Sequence, residues 1–272
     1  MDRVDCCILV NSTPAYFYIL PLFFKLLRRY APKLRWDVLL ATEAPNHSIC
    51  KQVVRDYAVK IIPIPEESSG FLESRMVALL SVAHDYNYCL PLQEDFLLEM
   101  PMWPDAFENI MKYMDSNMCV VSARTMPCPG PSEKSVIANS LRAPDWKLIT
   151  KETDPFGFTF QATLWKMKPL IHWYTRICAK LETICRKDST DPSTRKRIEL
   201  KENLAENAIG QTEFWTWTDE KDYEHIAFER AGPWPNAVYL SPFPYRPTAI
   251  VRGKLEPWAL ELAKREGVTL MI

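Results

Sequence analysis

The stretch that decides the fold prediction is YCLPLQEDFLL, residues 88–98. Its apolar start, Tyr88 to Leu92, predicts a buried strand, and the polar triplet Gln93-Glu94-Asp95 follows directly. Two adjacent carboxylates at the end of a buried strand repel each other and lose hydration, so they become favourable where a divalent cation or a protonated partner neutralises them. The stretch therefore predicts an acidic strand end that holds Mg²⁺ or Mn²⁺ together with phosphate oxygens. The alternative is an acidic turn that caps the next helix.

Around this stretch, across the first half of the chain, apolar strands alternate with helices. We predict strands at residues 4–10, 36–41, 60–64, 86–92 and 118–122, and helices at residues 15–30, 48–57, 71–84 and 104–114. Strands separated by helices imply right-handed crossovers, and hence an α/β fold whose mostly parallel sheet has helices on both faces. In such sheets a ligand binds beyond the carboxyl ends of the strands. The chemistry is therefore expected at one edge of the sheet.

The second half of the chain is less regular. Residues 128–153 contain many Pro, Ser and Lys residues and predict a loop or a small hairpin. Residues 156–167 predict a strand, which leads into a helix at residues 169–185. The charged stretch 188–201 predicts an exposed loop or the start of a helix, and residues 257–265 predict a last helix.

The composition is that of an ordinary globular protein. Of the 272 residues, 47% are hydrophobic, 12% aromatic and 25% charged, which excludes a disordered or collagen-like chain. With a formal net charge of -1, the chain as a whole has no electrostatic attraction to nucleic acid or to an anionic membrane. The first residues lack the features of a signal peptide, and the most apolar stretch, residues 16–27, is shorter than the roughly 20 residues of a membrane span. We therefore expect a cytoplasmic protein with reduced cysteines, no transmembrane segment and no nucleic-acid partner.

Polar groups also follow the other predicted strands. They are Asn11-Ser12-Thr13, Thr42-Glu43 and Glu66-Glu67. Because the carboxyl ends of parallel strands meet at one edge of a sheet, we expect these groups near the acidic triplet. Close to the C-terminus, Arg252 and Lys254 bracket a glycine. Such a pair can approach a diphosphate closely, the arginine through two N–H groups and the lysine as a point charge; the alternative is a solvated loop.

An acidic motif after the fourth strand of an alternating α/β pattern resembles the GT-A glycosyltransferases, whose motif is commonly written Asp-x-Asp. Gln93-Glu94-Asp95 occupies that place, with Asp95 matching the metal-binding last acid and Gln93 departing from the usual first Asp. The upstream segment Gly70 to Arg75 is similar to the Gly-plus-Arg element of these families, whose arginine reaches the donor site. The resemblance implies Mn²⁺ or Mg²⁺ on Asp95 and a sugar-nucleotide donor bound by Asn11, Thr13, Glu43, Arg75, Gln93, Glu94, Asp95, Arg252 and Lys254.

The resemblance continues, more weakly, into the second half. Residues 158–165 resemble the acceptor-side strand of such enzymes, and Glu213-Phe214-Trp215 resembles the acidic-aromatic site where inverting members keep their base. This implies Trp165 and Trp215 as acceptor-binding residues and Glu213 as the catalytic base, with Glu206 and Asp219 as rivals. The alternative is that Glu213 is a carboxylate on a helix surface and that the tryptophans belong to the core. A late histidine, His225, matches a metal ligand of some members of the fold, but we do not assign it that role.

The resulting prediction is one domain across residues 1–272, with a nucleotide-sugar-binding half at 1–127 and an acceptor-side half at 128–272. The predicted function is the transfer of a sugar from a nucleoside diphosphate sugar, with UDP-sugar favoured, to a glycan or other hydroxyl acceptor, with inversion by a carboxylate base. One alternative is a sugar-phosphate nucleotidyltransferase, although residues 11–15 lack the Gly-rich, basic loop that holds a triphosphate. The other is a non-catalytic carbohydrate-binding protein on the same fold.

Overall fold

The strands that the structure describes lie in one large sheet and two small ones. The computed structural model describes residues 5–68, 70–125, 136–137, 145–154, 156–187, 208–228, 240–246 and 248–270. The strands are β1 (Cys6–Asn11), β2 (Asp37–Thr42), β3 (Lys60–Pro63), β4 (Tyr88–Gln93), β5 (Leu97–Leu98), β6 (Val120–Arg124), β7 (Val136–Ile137), β8 (Trp146–Ile149), β9 (Thr163–Lys166), β10 (Glu224–Phe228), β11 (Tyr245–Arg246), β12 (Ile250–Val251) and β13 (Lys254–Leu255).

The order of the strands creates a switch point in the large sheet. Within the described residues this sheet runs β3-β2-β1-β4-β9-β6-β10-β8-β7, and the first four strands are parallel. Strand β9 lies antiparallel between β4 and β6. After β1 the chain adds strands on one side, and it then returns to place β4 on the other side of β1. A crevice forms beyond the carboxyl ends of strands where the order reverses in this way.

The helices cover both faces of the sheet. They are α1 (Leu20–Tyr30), α2 (Ser48–Tyr57), α3 (Phe71–Val82), α4 (Pro104–Ser116), α5 (Met167–Lys187), α6 (Ala208–Lys221) and α7 (Pro257–Arg265), with short 3-10 helices at Pro14–Ile19 and Glu66–Ser68. Side chains alternate across a strand, and β1 shows the consequence. Its Ile8 and Val10 pack with α1, α2 and α4, whereas Cys7 and Leu9 pack with α3, α5 and α6.

These features confirm the predicted fold class, a mixed α/β fold with a large sheet flanked by helices. The parallel pairing of β3, β2, β1 and β4 agrees with the alternating pattern of the first half, whereas their order was not predicted. The predicted strand at residues 156–167 is shorter than expected, because only Thr163–Lys166 pairs with neighbours. Strand β10 was not predicted, and the division into halves stays a prediction.

The stretch 128–153, predicted as a loop or a small hairpin, contains β7 and β8, which pair antiparallel; residues 128–135 and 138–144 lie outside the described residues. The charged stretch 188–201 lies outside the described residues. None of the helices that the structure describes has the length and apolar character needed to span a membrane.

Candidate functional site

A cavity of about 520 Å³ opens beyond the carboxyl ends of β1, β2 and β4, at the switch point of the sheet. Its walls come from the carboxyl ends of the parallel strands, from α3 and from the hairpin of β12 and β13 near the C-terminus. The lining residues are Asn11, Ser12, Thr13, Tyr16, Ala41, Glu43, Ile64, Phe71, Ser74, Arg75, Gln93, Glu94, Asp95, Ile250, Arg252 and Gly253.

The register of the strands brings the polar groups together. Asn11 pairs with Gln93 of β4 on one side and with Ala41 of β2 on the other. The backbone N–H of Ser12 then donates to the carbonyl of Ala41 at 3.1 Å, which extends the β1–β2 contact by one residue. The three strand ends therefore form one row. All the residues predicted to bind the donor line the cavity, with the exception of Lys254.

Two buried side chains at the end of β1 carry a polar atom without a well-formed hydrogen bond to any described residue. Asn11 is 7% exposed and Ser12 is 4% exposed. Within the described residues, the Asn11 Nδ2 and the Ser12 Oγ have no hydrogen-bond partner of good geometry, although Ser12 lies near enough to Glu94 to lower the pKa of that carboxyl. A buried polar group without a partner costs about 1–3 kcal/mol. A polar ligand in the cavity would remove that cost.

The acidic end of the cavity holds two buried carboxylates, Glu94 and Asp95. Burial is the main reason that the pKa of Glu94 is raised to about 8; the negative charge of Asp95 adds to the rise, while Arg75 and the Ser12 hydroxyl oppose it. A positive charge placed between these groups would offset both their burial and their repulsion.

A divalent cation fits this pair of carboxylates. Mg²⁺ and Mn²⁺ prefer oxygen ligands, and Mg²⁺ in particular binds through one or two carboxylates while it keeps waters and phosphate oxygens. Asp95 and Glu94 would supply the protein oxygens at such a site. No group of three His, Cys, Asp or Glu residues that could form a metal cage occurs in the part of the chain that the structure describes.

Arg75 is an oriented cation in the wall of the cavity. It is buried on the first turns of α3, and its Nη1 donates to the carbonyl of Phe71 at 2.9 Å. Its guanidinium carbon lies 3.5 Å from the centroid of the Phe71 ring, a distance that favours a cation–π contact. The one-turn spacing of Phe71 and Arg75 on α3 makes this contact possible.

The hairpin of β12 and β13 brings Arg252 to the cavity. Arg252 and Gly253 form its two-residue turn, and both have positive φ, 50° and 73°. Such a turn needs the left-handed region at both positions, which glycine adopts at no steric cost. The hairpin is tied to the acidic end, because the Ala249 N–H donates to the Asp95 carbonyl at 3.3 Å. Lys254 lies one residue beyond the turn, is exposed and does not line the cavity.

The predicted acceptor residues lie in the core. Trp165 and Trp215 are buried among the aromatic side chains between the sheet and α6. Trp165 also borders a second space, of about 10 Å³, which has room for roughly one water molecule and none for a sugar ring. Neither tryptophan lines the larger cavity, so their side chains are placed for packing and not for sugar stacking. Both were expected to face an acceptor because local sequence does not distinguish a core tryptophan from a binding one.

Glu213, the predicted catalytic base, also lies away from the cavity lining. Its Oε1 accepts from Arg176 Nε at 2.6 Å, and its Oε2 lies 2.9 Å from Lys180 Nζ. Although burial opposes the change, hydrogen bonds from Lys180 and Arg176 lower the pKa of Glu213. This arrangement is that of a structural ion pair. The rival Asp219 is exposed on α6, and Glu206 lies outside the described residues.

His225 is a buried core histidine. Ser122 Oγ lies 2.7 Å from its Nδ1, and Thr218 Oγ1 lies 3.1 Å from its Nε2. Burial, together with the charge of Arg124, lowers its pKa to about 3. The neighbouring hydroxyls contact both ring nitrogens, and His225 is assigned no metal-binding role.

Some cavity residues were not predicted from the sequence. Tyr16 lies in the 3-10 helix after β1, a segment that we predicted as the start of an ordinary helix. Ile64, Phe71 and Ser74 also line the cavity. Phe71 and Ser74 belong to the quoted Gly70–Arg75 segment, so its helical spacing could have indicated them.

Comparisons with known proteins give only distant likenesses. No protein-family model matches the sequence, and a search of curated proteins found no relative. Among solved structures, the chain is similar to 4-diphosphocytidyl-2C-methyl-D-erythritol synthase from Anaerococcus prevotii, with 9% identity and a TM-score of 0.43, covering 88% of this chain and 97% of that one. It is also similar to S. aureus TarS 1–349 in complex with UDP-GlcNAc, with 14% identity and a TM-score of 0.40. That match covers 60% of this chain and 45% of the TarS fragment, so the chain spans less than half of its length. Likenesses this remote carry no functional argument.

We predict that Glu213→Gln lowers the melting temperature (Tm) and leaves ligand binding in the cavity unchanged. The folded-state pKa of Glu213 is lowered, so its ion pairs stabilise the fold above about pH 4.3, the value of a free carboxyl, and lose their effect as the pH falls through the lowered pKa. We expect the Tm to drop by about 2–4 °C near pH 7, since a partly buried ion pair contributes on the order of 1 kcal/mol.

The measurement is thermal unfolding followed by circular dichroism from about pH 7 to about pH 3, over which the difference from wild type should shrink. Asp219→Asn, an exposed acid on the same helix, is the matched control and should leave the Tm unchanged. An unchanged Tm together with loss of a measured turnover would instead support the original prediction that Glu213 is a base.

Proposed function

We propose that the chain is a glycosyltransferase that takes a sugar from a nucleoside diphosphate sugar, with UDP-sugar the favoured donor, and transfers it to a hydroxyl acceptor. The observation that carries the proposal is the cavity at the switch point, where buried polar side chains, two buried acidic residues and two arginines meet. These groups match the parts of such a donor, which are a nucleoside with hydrogen-bonding groups and a diphosphate with concentrated negative charge.

The end of the cavity near β1 and β2 suits the nucleoside. Tyr16 and Ile64 give it apolar wall, and the Glu43 carboxylate accepts hydrogen bonds from ribose hydroxyls or base N–H groups. Asn11 and Ser12 lie in the same wall, and their buried polar atoms would bond to oxygen atoms of the ligand. A volume of about 520 Å³ lies within the range of small-molecule sites, roughly 300–1,000 Å³.

The acidic end suits the diphosphate. A divalent cation on Asp95, when bound, would neutralise charge on the leaving diphosphate. The side chains of the protein hold and orient that group. Arg75 lines the cavity from α3, and Arg252 lines it from the turn between β12 and β13. A guanidinium binds phosphate oxygens through parallel N–H groups, which fixes orientation as well as charge.

The proposed reaction gives no role to Glu213, Trp165 or Trp215, because none of them lines the cavity. The carboxylates of the described residues that do line it are Glu43, Glu94 and Asp95. Inversion by a carboxylate base was predicted with Glu213, and that base is no longer part of the proposal. NMR of the anomeric proton in the product distinguishes inversion from retention without any mutant.

The function is tested by following the products of the purified chain. A panel of UDP- and GDP-sugars with Mn²⁺ should give release of the nucleoside diphosphate, and the release should increase with a hydroxyl acceptor. Release of pyrophosphate from a nucleoside triphosphate and a sugar phosphate would identify a nucleotidyltransferase instead. Binding of carbohydrate with no affinity for either nucleotide would contradict the donor site altogether.

We predict that Asp95→Asn removes the effect of metal on nucleotide binding. The substitution keeps the size of the side chain and removes its negative charge, so a cation shared with the diphosphate is lost. In isothermal titration of UDP, Mn²⁺ should tighten binding to the wild type by about tenfold or more, equivalent to at least 1.4 kcal/mol, and should have little effect on the variant. Equal Mn²⁺ effects on both proteins would remove Asp95 from the metal site.

We also predict that Arg252 and Lys254 differ sharply, although they lie two residues apart on one hairpin. Arg252→Gln should weaken UDP binding by about tenfold, since a charge-assisted hydrogen bond contributes about 1.5–3 kcal/mol. Lys254→Gln removes the same charge outside the cavity lining and should change affinity by less than about twofold, an effect of screened surface charge. Titration of both variants at one ionic strength makes the comparison, and equal losses would show that only the summed charge of the hairpin matters.

A further inference from the structure

Two aromatic rings from different halves of the chain hold Arg75. Its guanidinium carbon lies 3.5 Å from the centroid of the Phe71 ring and 5.7 Å from the centroid of the Phe160 ring. The two rings meet edge to face, with centroids 4.8 Å apart. A guanidinium over an aromatic face is attracted by the ring, more strongly where water is excluded. Phe71 and Phe160 together form what we call the aromatic clamp.

The ring of Phe160 is rigidly supported, although residues 156–162 have no regular secondary structure. The Gln211 side chain bonds both the N–H and the C=O of Phe158, at 3.1 and 2.7 Å. On the other side, the carbonyl of Ala162 accepts from the N–H and from the hydroxyl of Thr125, at 3.0 and 2.7 Å. These bonds fix the segment at both ends of Phe160, so its ring has a defined place against Arg75.

Gly157 allows this segment to approach α6. A Cβ atom at this position would lie 2.5 Å from the Phe214 ring and 2.6 Å from the Trp215 ring. Side chains do not tolerate such distances, and the Phe214 ring is buried and cannot move aside freely. The close approach of Gly157 to α6 therefore determines how far the Phe160 side chain extends into the space beside the cavity.

The direction of the Arg75 guanidinium matters because an acid lies nearby. Arg75 is close enough to Glu94 to lower the pKa of that carboxyl. A guanidinium that turned fully onto Glu94 would offer fewer N–H groups to an anionic ligand. Contact with the face of the Phe71 ring, together with the Phe160 ring beside it, limits the rotation of the guanidinium at the cavity wall.

We propose that Phe160 is a positioning residue for Arg75, through which the second half of the chain sets the geometry of the phosphate-binding arginine. This inference rests on the proposed function, since it takes the ligand of Arg75 to be a nucleoside diphosphate. Phe160 does not line the larger cavity. It acts through Arg75, and it is not itself a ligand-binding residue.

A double-mutant cycle tests the inference. UDP binding in the presence of Mn²⁺ is measured by titration for the wild type, Phe160→Leu, Arg75→Met and the double variant. We expect Phe160→Leu to weaken binding by about 5–10-fold, the size of a desolvated cation–π contact. In the Arg75→Met background the same change should weaken binding by less than about twofold, because the group that Phe160 positions is gone. Phe160→Tyr keeps the ring and should restore affinity close to that of the wild type.

Stability is measured on the same proteins. Phe158→Leu is the matched control, because its ring lies in the same segment, 5.0 Å from the Phe160 ring. It should lower the Tm and leave affinity within about twofold, since fully buried aromatic rings stabilise the fold. If Phe160→Leu does not fold, Phe160→Met removes the ring with less loss of volume.

Equal losses of affinity on Phe160→Leu in both backgrounds would overturn the positioning role while leaving the donor site intact. A Phe160→Tyr protein as weak as Phe160→Leu would overturn it as well. A wild type that binds neither UDP nor GDP would contradict the proposed function, and the positioning role would fall with it.

Discussion

The candidate site depends on the burial of two adjacent acidic side chains at the end of a central parallel strand. Glu94 and Asp95 follow β4 at the point where the strand order reverses, and both are largely withdrawn from water. Charged groups in that position are costly unless a cation or a hydrogen-bonding ligand compensates them. Positively charged groups lie close to both acids. Arg75 lies near Glu94, and the hairpin that carries Arg252 is hydrogen-bonded to the backbone carbonyl of Asp95. Compensation of these two buried acidic groups is therefore a physical constraint on the cavity.

The first half of the chain was predictable because its signals are local. Alternating apolar strands and helices indicate a parallel sheet, and parallel strands place their polar ends in one row. This is why residues as distant in sequence as Asn11, Glu43 and Asp95 could be expected in one cavity. The hairpin was partly predictable. Gly253 indicated a tight turn, but which of its two basic neighbours reaches the cavity depends on the turn geometry, and that geometry favours Arg252.

The second half was less predictable because its contacts are long-range. The acid and aromatic residues at 213–215 resemble a binding site when they are considered alone. The residues that decide the role of Glu213 are Arg176 and Lys180, one turn apart on another helix, and no local pattern pairs them with it. Long-range contacts also explain the burial of Trp165 and Trp215. The helices and strands packed on α6 and β9 determine which of their side chains are buried. The sequence shows that the tryptophans are present, but only their packing in the structure shows that they belong to the core.

The two halves nevertheless meet at one functional group. Arg75 belongs to the first half, yet one of the rings around it is carried by residues 156–162, whose position depends on Gln211 of α6 and on Thr125 after β6. The core role of the late aromatic residues is therefore not separate from the chemistry of the cavity. Phe214 and Trp215 lie so close to Gly157 that they determine where the Phe160 segment passes. Trp215, which was predicted to bind an acceptor, packs instead against the segment that carries Phe160.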